Sequence, residues 1–420
     1  MRTWRTTTTL FAVAALTLAV TACGDDDDSD SATNTGSDDG GSSDSGGDGG
    51  ELSLDSPIKI AAAVEVAGES DAAVDSFNNG FELAINQINE AGGIGGQEIE
   101  YDRVPLSISD GSRATSQFLE AVDMEPSVIV GLPSNVQHGY LKTNIDRAQI
   151  PVVSISPMGE DSYFGNPQGS EFLWSVPTYS SAISHAGTRF LVEELGAESV
   201  GLMGTNEAYG NSSIAGSEAE LESLGLEAAD VRQHAPDATD LTTDVLAMSE
   251  VDAIADWDYP NPLSVILKQL QQNDMDVPII SGESASLVVD NELATGEAID
   301  NLYSAAPCSP ATEDTPALAE FNQAYIEEYD AEPNSLATNA YDAIYIVKAA
   351  IEAAGSAEPA DINAALDGLS VTEGVACAPE YAADGAHVFG HTVTIIEFAA
   401  DGSKSVAATL DADTLEEGGG

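Results

Sequence analysis

From Pro57 onward, short runs rich in β-branched residues alternate with longer stretches of helical spacing, and this alternation restricts the fold more than any single motif does. Ile58 to Val64 reads as a first strand. Phe77, Phe81, Ile85 and Ile88 then fall on one helical face, and Gly92-Gly93 ends that helix as a left-handed C-cap would. Further strands are predicted at 97 to 104, 127 to 131 and 150 to 155. The pattern restarts after Trp174, with a helix at 180 to 195 and strands at 199 to 203, 228 to 233, 251 to 256 and 277 to 281. A third segment from Asn301 carries a strand, helices at 315 to 330 and 335 to 354, and a hairpin of His391 to Phe398 with Ser403 to Ala408 around Asp401-Gly402. The class is α/β, with parallel sheets covered by helices in two similar halves.

The N-terminal stretch has a different physics. Arg2 and Arg5 precede an apolar run from Leu10 to Val20 that is too short for a stable span and reads as an export signal over residues 1–22. Val20-Thr21-Ala22-Cys23 resembles a bacterial lipobox, which predicts diacylation of Cys23; simple secretion with cleavage near Ala22 is the other reading. Residues 23–56 are mostly Gly, Ser, Asp and Thr, too polar to offset the entropy of ordering, and are expected to be an extended tether. Residues 413–420 are expected to fray. An exported chain meets an oxidising compartment, so a disulfide between Cys308 and Cys377 is the economical assignment, with free buried thiols as the alternative.

Charge narrows the partners. With 72 acidic against 12 basic residues, the net charge of −60 repels nucleic acid and anionic membrane surfaces. No calcium loop, P-loop, dinucleotide fingerprint or nucleophile elbow occurs. His387 and His391 are four apart, but Gly390 lies between them and strand-like residues follow, so they do not form a helical metal pair. No metal, cofactor or catalytic residue is expected, and the chain is not read as an enzyme.

Several runs carry a resemblance. Asn79-Gly80-Phe81-Glu82-Leu83-Ala84, Ile88 to Gly96 (Ile-Asn-Glu-Ala-Gly-Gly-Ile-Gly-Gly), Ile150 to Pro157, Glu207-Ala208-Tyr209-Gly210 and Asn339-Ala340-Tyr341-Asp342-Ala343 resemble the branched-chain amino-acid-binding family of ABC-transporter substrate-binding lipoproteins. The resemblance implies the type I periplasmic-binding fold: two Rossmann-like lobes, three hinge crossovers and a ligand cleft. Lobe one would take 57–177 plus 306–380, and lobe two 178–305 plus 381–412. The strand ends are also where open parallel sheets bind ligands on general grounds.

Candidate site residues follow strand ends. In Gly131-Leu132-Pro133-Ser134-Asn135, either Ser134 or Asn135 can cap the next helix while backbone N–H groups face an anion; the family's serine in this loop holds the ligand carboxylate. Ser156-Pro157-Met158-Gly159-Glu160 matches the second carboxylate loop. Glu160 stands there in place of a hydroxyl and would repel an anion unless it points to solvent. Tyr209 matches the tyrosine that covers the ligand; a buried hinge aromatic is its alternative. Trp257, Asp258 and Tyr259 follow one strand, and Glu283 after the next aligns with the family's ammonium-pairing acid or is one more surface carboxylate. The expected function is capture of a small amino-acid or amide-like solute for ABC permease subunits, by a monomer held at the outer face of the cytoplasmic membrane through its lipid alone. A ligand-sensing receptor of the same fold is the alternative.

Overall fold

The computed structural model describes residues 52–54, 56–65, 71–108, 110–159, 169–310, 315–377, 381–382, 387–390 and 392–411. Residues 1–22, expected to be an export signal, Cys23, Glu160, His391 and the tail expected at 413–420 lie outside the described residues.

The first sheet is built from β1 (Ile58–Glu65), α1 (Asp71–Glu90), β2 (Ile99–Leu106), α2 (Gly111–Asp123), β3 (Val128–Gly131), α3 (Asn135–Ala148), β4 (Val152–Ser154) and β5 (Leu173–Ser175). Its order is β2-β1-β3-β4-β5, parallel throughout. The chain then forms α4 (Ser180–Arg189), β6 (Val200–Thr205), α5 (Ala208–Ser223), β7 (Asp230–His234), α6 (Thr242–Ala247), β8 (Ala253–Trp257), α7 (Pro260–Gln272), β9 (Ile279–Ser281), α8 (Ser284–Asp290) and β10 (Leu302–Ala306). It returns to the first core with α9 (Pro316–Tyr329), α10 (Ser335–Ala354) and α11 (Pro359–Leu366), makes a small ladder of β11 (Ser370–Val371) and β12 (Tyr381–Ala382), and ends as β13 (Thr392–Phe398) and β14 (Lys404–Asp411). The second sheet runs β14-β13-β10-β9-β8-β6-β7, antiparallel only at the β13 and β14 edge. The chain therefore passes between the two halves three times, giving the two-lobed α/β fold.

Each lobe buries its sheet on both faces, which is why the strands read as nearly unbroken apolar runs. In the first, Ile58, Ile60, Phe81 and Ile85 pack with Phe321, Ile344 and Val347 of the returning helices. The four helical-face residues of α1 are all buried, and Gly92 and Gly93 take positive φ at its end. In the second, Leu202, Ala255 and Trp257 face α4 and α5, while Met203, Ile254 and Ile279 face α7 and α8.

Some boundaries differ from expectation. Leu52 and Leu54 dock on the body: Leu54 is 4% exposed and its N–H donates to the Gly95 carbonyl at 3.1 Å, because two leucines in an otherwise polar run suffice to cover that turn. The helix expected at 180 to 195 is α-helical to Arg189 and then makes a π turn over Phe190–Glu194. The short strand β5 and helix α11 have too little periodicity to be read from sequence. Cys308 and Cys377 form a disulfide with Cα atoms 5.6 Å apart, closing the excursion that carries α9 to α11 back to the first lobe.

Candidate functional site

Both sheets reverse their winding next to their first strand, β1 with β3 on one side and β6 with β8 on the other, and these reversals are where an open α/β sheet offers a crevice. In the first lobe the crevice is formed by the loop after β3. Gly131 has φ 139°, and a side chain there would run into the Ala63 carbonyl, so only glycine lets β3 end so close to β1. Ser134 is the N-cap of α3, and its N–H donates to Gln137 Oε1 at 3.3 Å. The loop is fixed from below. The Leu132 carbonyl accepts from Ser154 Oγ (3.1 Å) and Ser156 Oγ (2.9 Å), and Ser154 Oγ lies 2.8 Å from His138 Nε2. Burial drives His138 down to about 4, so this imidazole is neutral.

The second lobe presents a different chemistry. Gly210 lets the start of α5 press on the end of β6, since a Cβ there would meet the Thr205 carbonyl. That places Tyr209 over the strand ends, its ring 5.8 Å from that of Tyr259 and its hydroxyl close against Gly282. Beneath, Thr205 pairs with His234 and Met203 with Asp256, so Thr205, His234, Asp256 and Ser281 share one face of four adjacent strands. Asp256 and Asp258 are both 0% exposed, and their carboxyls face each other closely enough to share a proton. His234 Nε2 lies 2.8 Å from Asp258 Oδ2, in a poor direction for a hydrogen bond.

Burial governs every titration here. It holds Asp256 well above the ordinary carboxylate range, helped by the neighbouring Asp258 charge, and pushes Asp258 and Glu283 up to about 7. It also lowers His234 against the pull of Asp256 and Asp244. Tyr209 is raised by burial and then by Asp256, Glu283, Tyr259 and Asp258, which places that ring among all of them. Glu283 is partly exposed as a residue, yet its Oε1 is shut off from solvent and has no hydrogen-bond partner.

Three pairs of residues bring the lobes together at this level. The Ser134 hydroxyl lies near that of Tyr259, which donates to Glu207 Oε2 at 3.5 Å. The hydroxyl of Ser335, the first residue of α10, lies near the Glu283 carboxyl and tempers the effect of burial on it. Asn135 Nδ2 also reaches Ser180 Oγ at 3.4 Å. The carboxyl ends of β3 and β8 therefore face each other across one crevice.

Of the residues named from sequence, Ser134, Tyr209, Asp258, Tyr259 and Glu283 come together there. Asn135 lies at its edge and Gly159 on a partly exposed loop. Trp257 and Met158 do not join them. β8 extends to Trp257, one residue beyond the expected end, so alternation turns the indole to the opposite face, where Nε1 donates to Ser217 Oγ at 2.9 Å. Met158 is buried in the first lobe's core, bridged to Tyr179. Sequence reasoning missed Asp256, His234, Thr205 and Ser335. Asp256 had a readable signal, a charge inside the otherwise apolar run Ala253–Trp257.

Two doubly wound lobes meeting at their polar strand ends define a bilobed solute-binding fold. A family model described as periplasmic binding protein matches residues 57–403, and the chain belongs to that family. It is 23% identical over 338 residues to the Leu/Ile/Val-binding protein homolog 8 of Brucella melitensis, covering 76% of this chain and 82% of that protein. Among solved structures it resembles the branched-chain amino acid transporter substrate binding protein LivJ of Streptococcus pneumoniae, in complex with isoleucine, at 26% identity and a TM-score of 0.74, covering 85% of this chain and 99% of that one. The fold is shared with a fatty acid ABC transporter substrate-binding protein of Thermomonospora curvata, at 19% identity and a TM-score of 0.74 over 87% and 95% of the two chains. A Rhodopseudomonas palustris solute binding protein in complex with 3,4-dihydroxy benzoic acid shares it at 17% identity and a TM-score of 0.73 over 85% and 98%. This is a periplasmic binding protein of the ABC-transporter type.

Proposed function

We infer that the protein captures a small solute bearing an ammonium group, of the amino-acid or amide-like class, in the crevice between the lobes and delivers it to an ABC permease. The observation that carries this reading is Glu283: an acceptor with a shielded, unpartnered oxygen beside Tyr209, on the far side of the Tyr209–Tyr259 pair from the N-terminus of α3. A carboxylate in such a place gains most from a charge-assisted bond to a cation, while the N-cap loop at Ser134 offers backbone donors to an anion. Branched-chain binding by LivJ supports an amino-acid ligand; the fatty-acid and benzoate proteins show that the fold also serves ligands without an amine.

Residues 57–177 plus 306–380 and 178–305 plus 381–412 are read as the closing bodies, with hinge motion about the crossovers as the response to ligand. The chain is placed outside the cytoplasmic membrane as a monomer, held by acylated Cys23 through the 23–56 tether. Among the described residues no helix is long and apolar enough to cross a membrane. Calorimetry of Glu283→Gln and Ser134→Ala against amino acids, amides and organic acids tests the site. The Gln variant is expected to lose ~10–100-fold in affinity, the worth of one hydrogen bond to a charge. Unchanged affinity in both variants contradicts the assignment.

A further inference from the structure

Glu283 accounts for one cation, but the same crevice holds more unsatisfied acceptor chemistry than one ammonium can use. Below Tyr209, Asp256 and Asp258 are completely buried, and their only positive neighbour among the described residues is the His234 imidazole, a weak base in this setting. The basic side chains with ion pairs, Arg103, Lys142, Arg189, Arg232, Lys348 and Lys404, are engaged elsewhere. Independently of these acids, two neutral side chains on the same strand face, Thr205 and Ser281, are 0% exposed with hydroxyl oxygens that have no partner. A buried hydroxyl left unmatched is costly, and two beside a carboxyl pair mark a place completed by something outside the chain. Among the described residues no three carboxylate, imidazole or thiol groups are arranged to hold a metal ion. The complement to acceptor-only carboxylates and two hydroxyls is an N–H-rich cation.

We propose that the solute carries two cationic groups, one taken by Glu283 and the second, deeper one by the Asp256–Asp258 pair with the Thr205 and Ser281 hydroxyls. The ligand class is then a short diamine or diamino acid. Both sets lie around the single ring of Tyr209, so a short spacer is the simplest match. The inference rests on the solute-binding reading given above and narrows it.

The test compares probes matched in length, ornithine with norvaline and 1,4-diaminobutane with butylamine, by calorimetry on the purified protein, with benzoate added to the panel. The dications are expected to bind more than about tenfold tighter than their monocationic partners, as one further charge-assisted contact requires. Asp256→Asn and Asp258→Asn, near-isosteric changes, should each bring that ratio toward one. The wild-type ratio needs no variant, so a substitution that fails to fold leaves the test intact. A ratio near one in the parent, or one retained in both variants, overturns the second cation subsite. Tight binding of norvaline or benzoate without any diamine preference does the same while leaving the solute-binding reading standing. Failure of the whole panel to bind overturns both.

Discussion

The two lobes wind their first four strands alike yet finish their strand ends in opposite ways. In the first, Ser154, Ser156 and His138 bond to one another and to the Leu132 carbonyl, so the loop carrying Ser134 is largely satisfied by the protein itself, His138 Nδ1 excepted. In the second, Asp256 and Asp258 are buried and Glu283 has a shielded Oε1, with protein partners too few or too poorly aimed for their charge. One side is a finished, neutral anvil. The other holds desolvated carboxyls that favour their protonated forms, and on the proposed reading a cation takes the protons' place. The contrast separates two kinds of acid in a strongly acidic chain: surface carboxylates stay hydrated, while these few are desolvated.

The largest expected effect lies in the connection between lobes. Replacing Cys308 or Cys377 by Ser releases a closure spanning 69 residues and should cost about 4 kcal/mol in the chain-entropy account, measured by urea unfolding. If the excursion through α9 to α11 is held by its apolar packing alone, the loss will be much smaller.

Next comes the stability of the empty second lobe. A folded carboxyl raised from 4.5 to about 7 favours the folded state below pH 4.5, and that advantage is lost as pH rises through about 7. Glu283→Gln, which cannot ionise, should therefore exceed the unliganded parent in stability at pH 8 by up to ~3 kcal/mol, and the gap should shrink by pH 5. The matching change in the first lobe, Ser154→Ala, has the opposite sign, a loss of about 1–2 kcal/mol from broken buried hydrogen bonds. Thermal melts of both variants across pH compare the lobes directly; a Ser154→Ala protein more stable than its parent would erase the distinction.

A third effect concerns affinity. Cation binding needs the carboxylates ionised, so affinity should fall as pH drops from 8 to 5.5, through about 7, with proton release seen by calorimetry in two buffers. The ionisable groups facing the site are Asp256, Asp258, Glu283 and His234, with the side chains of Asp244, Glu207, Tyr209 and Tyr259 around them; Arg232, further down β7, is held by Asp230. The smallest effect is expected from Ser134→Ala, a loss of ~1 kcal/mol in ligand binding, since backbone N–H groups of α3 remain.

Most of the architecture was legible because period and punctuation agree: strand runs, the face of α1 and its Gly92-Gly93 end all point one way. The candidate site was only partly so. Tyr209, Asp258 and Glu283 sit just past strand ends, where a reader looks. Asp256 and Thr205 are within strands, and their exposure to the crevice depends on which face each strand turns, which hinges on a single residue of register. The same one-residue shift put Trp257 on the core side. Ser335 comes from a helix 52 residues beyond Glu283, a juxtaposition that the second crossover, from β10 to α9, creates.

The most direct test is a crystal structure of the protein with the small molecule that co-purifies with it or raises its melting temperature. The account predicts a ligand nitrogen within hydrogen-bond distance of Glu283 Oε1, between lobes closed over Tyr209 and Tyr259. A ligand carboxylate against Glu283, or a solute held away from these strand ends, would contradict it.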